Sequence, residues 1–334
     1  MAHVHHSHSG ADLSDAAKST MEKSGEQWTS MRSAVSRLNE AACPWHHRQP
    51  FDGVDQHPRV ITHSDAMYLA WAPDDSVVQP CWVYVSTNRV NAGTFYVQPK
   101  EWFDPGNHPG PEPYYCLRGT LLLGNPDTAD VIEIQAGDAA NIPAFAYHIA
   151  FNFGDTEAEI LWWVPGEMHT EEWKEKIHKG EGKWYEREPI TFGGPHERNE
   201  GFPSHIDDLA SWPKEQSTKG PADMQHLPRS TWLHLFQGTD RRRTILVSFF
   251  YCDERIRCAK VTIPRSGETE PESGDYERLL YVESGTLSVT LVGTGKGLVA
   301  EPGDMVFLPP FTEHCLQAID REPVSVISAW ALAS

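Results

Sequence analysis

The chain has 334 residues, enough for two average domains or one large one. Acidic residues outnumber basic ones by 47 to 28, and the net charge of −19 argues against a nucleic-acid backbone or an anionic membrane as the main partner. The 12 Trp, 10 Tyr and 13 Phe argue against disorder, and no apolar run approaches the roughly 20 residues of a membrane-spanning helix. Six scattered Cys without a CxxC pair indicate reduced thiols and predict a cytoplasmic protein.

The first predicted element is a helix over residues 25–42, within an N-terminal arm of residues 1–59. Ser24 and Gln27 form a capping box at its start. Its apolar residues recur at helical spacing on one face and comprise Trp28, Met31, Val35, Leu38 and Ala42. This stripe predicts packing on a domain or across a dimer.

Residues 60–165 change pattern to short β-rich runs separated by Gly, Pro, Asn and Asp, which is typical of an all-β sandwich or barrel. The predicted strands are Cys81–Ser86, Gly93–Gln98, Tyr114–Leu117, Thr120–Leu123, Val131–Ile134, Tyr147–Phe151 and Glu159–Val164.

Residues 166–230 are rich in Lys, Glu, Gly and Pro, and they predict a connecting arm with helices at Thr170–Lys179 and Ser204–Trp212. The β pattern then resumes over residues 231–334. Its predicted strands are Thr231–Phe236, Thr244–Cys252, Cys258–Ile263, Leu279–Val282, Thr286–Leu291, Met305–Leu308 and Ser325–Leu332.

An internal repeat relates the two β-rich regions. Marker residues of the first region recur 166 positions later in the second: Tyr115 and Tyr281, Gly119 and Gly285, Gly137 and Gly303, Pro143 and Pro309, His148 and His314. A constant offset at so many positions predicts the duplication of one β domain.

Three potential metal ligands lie in the first copy. Gly137 begins a turn, an apolar strand and a Pro-led turn that together aim His148 inward, and His108 and Glu112 lie upstream, four positions apart. Two imidazoles and one carboxylate on adjacent strands can hold one face of an octahedral ion and leave the other positions open. This ligand set favours Fe(II), and Mn, Zn, Ni or Co would also fit.

These segments resemble the two motifs of the cupin superfamily, G-x5-H-x-H-x3,4-E-x6-G and G-x5-P-x-G-x2-H-x3-N. The spacings from His108 through Glu112 to Gly119, and from Gly137 through His148 to Asn152, match, with Phe145 where the family often has Gly. The first His of the family falls at Gly106, so the resemblance implies three protein ligands, or a fourth contact from Asn107 or water. It implies two tandem double-stranded β-helix (jelly-roll) barrels.

The second copy has lost most of the ligand set. The offset places Gly274 opposite His108 and Arg278 opposite Glu112, so only His314 remains. We therefore expect a metal site in the first barrel alone. The second barrel is expected to be structural or dimerising, or to use Arg278 to meet an acidic substrate or a buried carboxylate.

Candidate substrate contacts surround the predicted ligands. Tyr114 and Cys116 share the face of Glu112 on an alternating strand, so both should point into the barrel. Tyr114 could be a catalytic proton donor, a pocket wall or core, whereas Cys116 reads as core. Four further residues are candidate substrate contacts, with core packing as the alternative: Gln98, Trp102, Tyr147 and Trp162.

The leading hypothesis is a non-haem Fe(II) dioxygenase acting on a small organic or aromatic molecule, because bicupins of this kind include the ring-cleaving dioxygenases of the gentisate, quercetin and hydroquinone types. A second hypothesis is a metal-dependent lyase, isomerase or decarboxylase in which Tyr114 is the acid or base. A third is a non-catalytic ligand-binding bicupin. We expect a small-molecule substrate and a homodimer, with neither nucleic acid nor membrane as partner.

Overall fold

The fold is almost entirely β in the computed structural model, which describes residues 57–71, 79–106, 108–125, 128–166 and 223–333. Its helical content there is one 3-10 turn, Arg229–Thr231, and none of its helices could cross a membrane. The predicted helices at 25–42, 170–179 and 204–212, with Asn107, lie outside the described residues. The five Cys described are free thiols. The all-β prediction is confirmed.

The described residues of the first half form eleven strands. They are β1 (Arg59–Ile61), β2 (Met67–Trp71), β3 (Gln79–Ser86), β4 (Val90–Val97), β5 (Trp102–Gly106), β6 (Glu112–Arg118), β7 (Thr120–Asn125), β8 (Asp130–Gln135), β9 (Ala139–Ile142), β10 (His148–Phe151) and β11 (Ala158–Pro165). A four-stranded sheet in the order β5-β10-β7-β8 faces a larger sheet that contains β9-β6-β11-β4-β3-β2. The two sheets enclose an apolar core that includes Phe95, Leu121 and Ile160.

The second half, described from residue 223 to residue 333, forms ten strands. They are β12 (Gln225–Leu227), β13 (Leu233–Gln237), β14 (Ile245–Cys252), β15 (Ile256–Ile263), β16 (Tyr276–Ser284), β17 (Leu287–Leu291), β18 (Lys296–Ala300), β19 (Met305–Leu308), β20 (His314–Ala318) and β21 (Val324–Leu332). Its small sheet is β18-β17-β20, and its large sheet contains β19-β16-β21-β15-β14-β13.

The 166-residue offset of the sequence also relates the two sets of strands. The strand pairs β3 and β14, β4 and β15, and β9 and β19 each begin and end at positions 166 apart. Even an unusual backbone conformation repeats, because Phe145 and Phe311 both have a φ of 61°. The tandem arrangement predicted from sequence is therefore present in the fold.

The two halves exchange their leading strands. β1 of the first half pairs antiparallel with β19 of the second, with Val60 opposite Val306. β12 of the second half pairs with β9 of the first, with His226 opposite Ala140. Among the described residues, each large sheet therefore has seven strands, one of which comes from the other half, and β12 lies within the segment predicted as a connecting arm.

Strand alternation divides the side chains between two environments. On β6, Tyr114 and Cys116 belong to the core of the first barrel, whereas Tyr115 belongs to a second apolar cluster that joins the two halves. Hydrogen bonds also cross between the halves, from the Tyr115 hydroxyl to Glu283 Oε1 at 2.7 Å and from the Tyr84 hydroxyl to the Gly303 carbonyl at 3.0 Å. The large sheets therefore pack against each other, and each barrel keeps its own interior.

Candidate metal centre

The three predicted ligands converge at one end of the first barrel. Glu112 begins β6, His148 begins β10, and His108 lies just before β6. The backbone N–H of Phe145 donates to the carbonyl of His108 at 2.7 Å, which ties the turn before β10 to the segment before β6. This contact links the segment that carries His108 to the turn that leads into His148.

The spacing of the ligand atoms suits a divalent ion. Glu112 Oε2 lies 3.1 Å from His148 Nε2 and 3.5 Å from His108 Nε2, and the three ligand atoms all lie within 4.8 Å of one another. Two ligands at about 2.1 Å from an ion and at right angles lie about 3 Å apart. The residues therefore fit the metal that their chemistry implies, and this is the one such group among the residues described.

Hydrogen bonds and burial prepare the ligands for an ion. His148 Nδ1 lies 3.1 Å from the carbonyl of Ala146, and a proton donated there leaves the Nε2 lone pair facing Glu112. Burial alone would raise the pKa of the Glu112 carboxyl, but His108, His148 and the Tyr114 hydroxyl outweigh it, so that its pKa lies below the ordinary value. Glu112 is therefore an anionic ligand.

Tyr114 extends into the same group. Its hydroxyl lies 3.0 Å from Glu112 Oε2 and 3.3 Å from His148 Nε2. Burial, reinforced by the charge of Glu112, raises the pKa of the Tyr114 hydroxyl well above its usual value. Tyr114 therefore keeps its proton at neutral pH and presents it beside the ligands.

Aromatic and apolar side chains form the wall behind Tyr114. The Phe95 ring centre lies 5.4 Å from that of Tyr114, and Phe103 lies 5.0 Å from Phe95. Trp162 is opposite Tyr114 on β11, and its buried indole N–H has no hydrogen-bond partner among the described residues. Of these, Phe95 is the contact that sequence reasoning missed, although its alternation with Val97 on β4 places both side chains in the barrel core.

The other predicted substrate contacts lie further from the ligands. Gln98 hydrogen-bonds Glu157, which in turn pairs with Arg118. Arg118 lies six residues along β6 from Glu112, which corresponds to about 20 Å. The structure thus does not bring Gln98 to the ligands. Trp102 is exposed, and Phe103, not Trp102, belongs to the packing of the barrel core. Tyr147 is half-buried beside His148 in the chain.

The equivalent place in the second barrel holds an ionic cluster of protein side chains. Arg278, at the position of Glu112, pairs with Glu272, and its Nη1 lies 2.9 Å from His314 Nε2. Glu272 corresponds through the offset to Gly106, where the first motif lacks its first His. A guanidinium thus lies where the first barrel has the carboxylate of Glu112.

Comparisons with known proteins support these features. The model of the cupin domain family matches residues 259–330, whereas no curated protein sequence matches the chain. AerE from Microcystis aeruginosa superposes with a TM-score of 0.52 at 12% identity, covering 80% of this chain and 97% of AerE. The oxalate decarboxylase of Lactobacillus farciminis, in its formate complex, superposes with a TM-score of 0.56 at 14% identity, covering 85% of this chain and 89% of that protein. The Bacillus subtilis oxalate decarboxylase, which has Mn(II) centres, superposes with a TM-score of 0.54 at 13% identity, covering 88% of this chain and 83% of that protein.

Two tandem antiparallel barrels, one with an inward-facing His-Glu-His group, define the bicupin class of β proteins. The family match in the second half and the shared fold across both halves agree with this class. Residues 259–330 thus match the cupin domain family, and the described residues of both halves share the fold of tandem cupin barrels.

Proposed function

We propose that the first barrel is the active site of a metal-dependent enzyme that acts on a small organic acid. The observation that carries this proposal is the buried group of His108, Glu112 and His148, with the protonated hydroxyl of Tyr114 beside it. With two neutral imidazoles and one carboxylate, a bound divalent ion leaves a net positive charge in a low-dielectric site. Such a site favours an anionic substrate.

Tyr114 gives this site the means for acid catalysis. A bound ion would polarise a substrate carbonyl or carboxylate. The Tyr114 hydroxyl, within hydrogen-bond reach of the ligand atoms, would donate a proton to a carbon or oxygen of the substrate and recover it from solvent. Phe95, Phe103 and Trp162 would keep bulk water away while the proton passes to the substrate, and solvent would return it when the product leaves. This chemistry is that of a lyase, isomerase or decarboxylase, and the oxalate decarboxylases that share the fold support the choice of a carboxylate.

A second candidate is the non-haem Fe(II) dioxygenase. The observation that favours it is that two imidazoles and one carboxylate are the protein ligands of the 2-His-1-carboxylate class, whose open positions serve substrate and dioxygen. Both candidates require the same three ligands. They differ in whether dioxygen is consumed.

The test is metal analysis of the purified protein, followed by turnover of small carboxylates, keto acids, catechols and hydroquinones with and without oxygen. A lyase or decarboxylase turns over its substrate without oxygen, whereas a dioxygenase is inactive under anaerobic conditions. Activity in air alone, matched by oxygen uptake, would replace the first candidate by the second. A protein with no stoichiometric metal and no turnover would refute both.

A matched pair of variants tests the role of Tyr114. Tyr114→Phe removes the hydroxyl beside the ligands and is expected to lower kcat by about 100-fold or more, with metal content unchanged. Tyr115→Phe makes the same chemical change on the opposite face of β6, where the hydroxyl meets Glu283. It is expected to retain wild-type kcat. Equal kcat values for the two variants would exclude Tyr114 as the acid.

A further inference from the structure

We propose that the second barrel binds a small carboxylate at Arg278, in the position that its own Glu272 carboxylate now occupies. The argument concerns the second barrel alone and does not depend on the metal centre or on the proposed reaction.

The guanidinium of Arg278 lies in a neutral cradle. Its side chain is 3% exposed, its Nε donates to Ser328 Oγ at 3.2 Å, and its central carbon lies 4.7 Å from the Trp330 ring centre. His314 faces Nη1, and burial together with the charge of Arg278 lowers the pKa of His314 to about 4, so the imidazole is neutral. These groups orient the guanidinium but leave its charge uncompensated.

The negative charge that balances Arg278 comes from a partly exposed side chain. Among the described residues, Glu272 is the carboxylate that pairs with Arg278, and its side chain is 35% exposed. It lies in the segment between β15 and β16 and is held by two backbone hydrogen bonds with His314, each 3.0 Å long. The carboxyl group thus reaches Arg278 from the solvent side, while its backbone stays anchored.

A purely structural role explains this arrangement poorly. A buried ion pair is often replaced by apolar residues without loss of stability, so a barrel that needed only a core would gain nothing from Arg278. A fixed guanidinium whose buried neighbours Ser328, Trp330 and His314 are neutral, and whose carboxylate partner is partly exposed, has the features of a carboxylate receptor. In this structure Glu272 is its tethered ligand.

The geometry also limits the ligand. Rotation of the Glu272 side chain toward solvent vacates a space of one carboxyl group and one methylene, while the backbone bridge to His314 remains. Acetate fills that volume, and a longer acid would extend its chain toward the opening. The expected ligand class is therefore a small monocarboxylate or a short dicarboxylate. A tethered carboxylate competes at a high effective concentration, so the wild-type protein is expected to bind acetate weakly.

The experiment is calorimetric titration of acetate into metal-loaded wild-type protein, three single variants and one double variant. Glu272→Ala removes the competitor and opens its volume, so acetate is expected to bind about tenfold tighter or better than in the wild type. Glu272→Gln removes the charge but fills the space, and no gain is expected. Glu270→Ala is the matched control, because Glu270 lies in the same segment and pairs with Arg243 on the outside.

Acetate affinity that is equal in Glu272→Ala and Glu270→Ala would overturn the proposal, because binding would then lie elsewhere, including the metal centre. The absence of acetate binding by Glu272→Ala up to about 50 mM would overturn it as well. If Glu272→Ala fails to fold, Glu272→Asp shortens the tether by one methylene and serves the same comparison. The double variant Glu272→Ala/Arg278→Gln is expected to lose the gained affinity.

Discussion

Tyr115→Phe removes a hydroxyl that links the two barrels through a carboxylate. This hydroxyl donates to Glu283 Oε1 at 2.7 Å and accepts from Lys260 Nζ at 3.3 Å, while Lys260 and Ser325 also hold the Glu283 carboxylate. A hydrogen bond to a charged group contributes about 1.5–3 kcal/mol to stability. Because Lys260 and Ser325 remain in the variant, we expect the lower end, about 1.5 kcal/mol, or about tenfold in the unfolding constant.

The assay is urea denaturation followed by circular dichroism. A loss of about 1.5 kcal/mol shifts the midpoint by about 0.5 M when the slope is about 3 kcal/mol/M. Tyr281→Phe is the matched control, since Tyr281 occupies the equivalent position in the second copy and packs its ring against that of Tyr84. It should change the free energy of unfolding by less than about 0.5 kcal/mol.

The loss in free energy of unfolding caused by Tyr115→Phe also depends on pH. Burial raises the pKa of Glu283, but hydrogen bonds from Lys260, Tyr115 and Ser325 lower it more, so the pKa in the folded state is depressed. A depressed carboxyl pKa stabilises the fold above the unfolded value of about 4.3, and that contribution is lost as the pH falls through the folded pKa. The difference between wild type and variant should therefore be full at pH 7 and shrink below about pH 4.

Equal midpoints for Tyr115→Phe and Tyr281→Phe would refute this reasoning, as would a deficit that does not change between pH 7 and pH 3. Either result would mean that the inter-barrel hydrogen bond contributes no more than the water it displaces.

Three further predictions concern the first barrel. Chelation should lower the Tm of the wild type but not of His148→Ala, because an ion at 100 times its Kd adds about 2.7 kcal/mol; differential scanning calorimetry measures this. Gly119→Ala should lower the free energy of unfolding in urea by about 3 kcal/mol, because φ is +78° and a Cβ would lie 2.6 Å from the Glu157 carbonyl oxygen. Gly137→Ala is the control: its φ is also positive, at +92°, but a Cβ would meet open space, so the loss should be about 1 kcal/mol. Asn152→Ala should lose about 3 kcal/mol, because its buried amide makes three hydrogen bonds, and metal content should stay constant. A metal loss in Asn152→Ala, or equal costs at the two glycines, would contradict these assignments.

The central features of the site could be predicted because they follow from local rules. Alternation along one strand is enough to place Glu112 and Tyr114 on one face and Tyr115 on the other. The hairpin before His148 places that residue at the start of β10. The structure brings His108, Glu112 and His148 together as the motif spacing predicts.

Other features depend on information that the local pattern does not hold. β5 contains Asp104 and Pro105 and β18 contains Gly297, so neither run has the apolar alternation of a strand. Strand alternation gives the face of Gln98 but not the end of the barrel at which it lies. The carboxylate partner of Arg278 could have been found by applying the offset to Gly106, which leads to Glu272.

The exchange of β1 and β12 makes each barrel depend on the other half of the chain. Two separate copies of a single-barrel protein would make the same contacts by trading their leading strands about a twofold axis, as in a domain-swapped dimer. Because one chain carries both halves here, the exchanged strands stay paired without the association of two subunits, whatever the protein concentration.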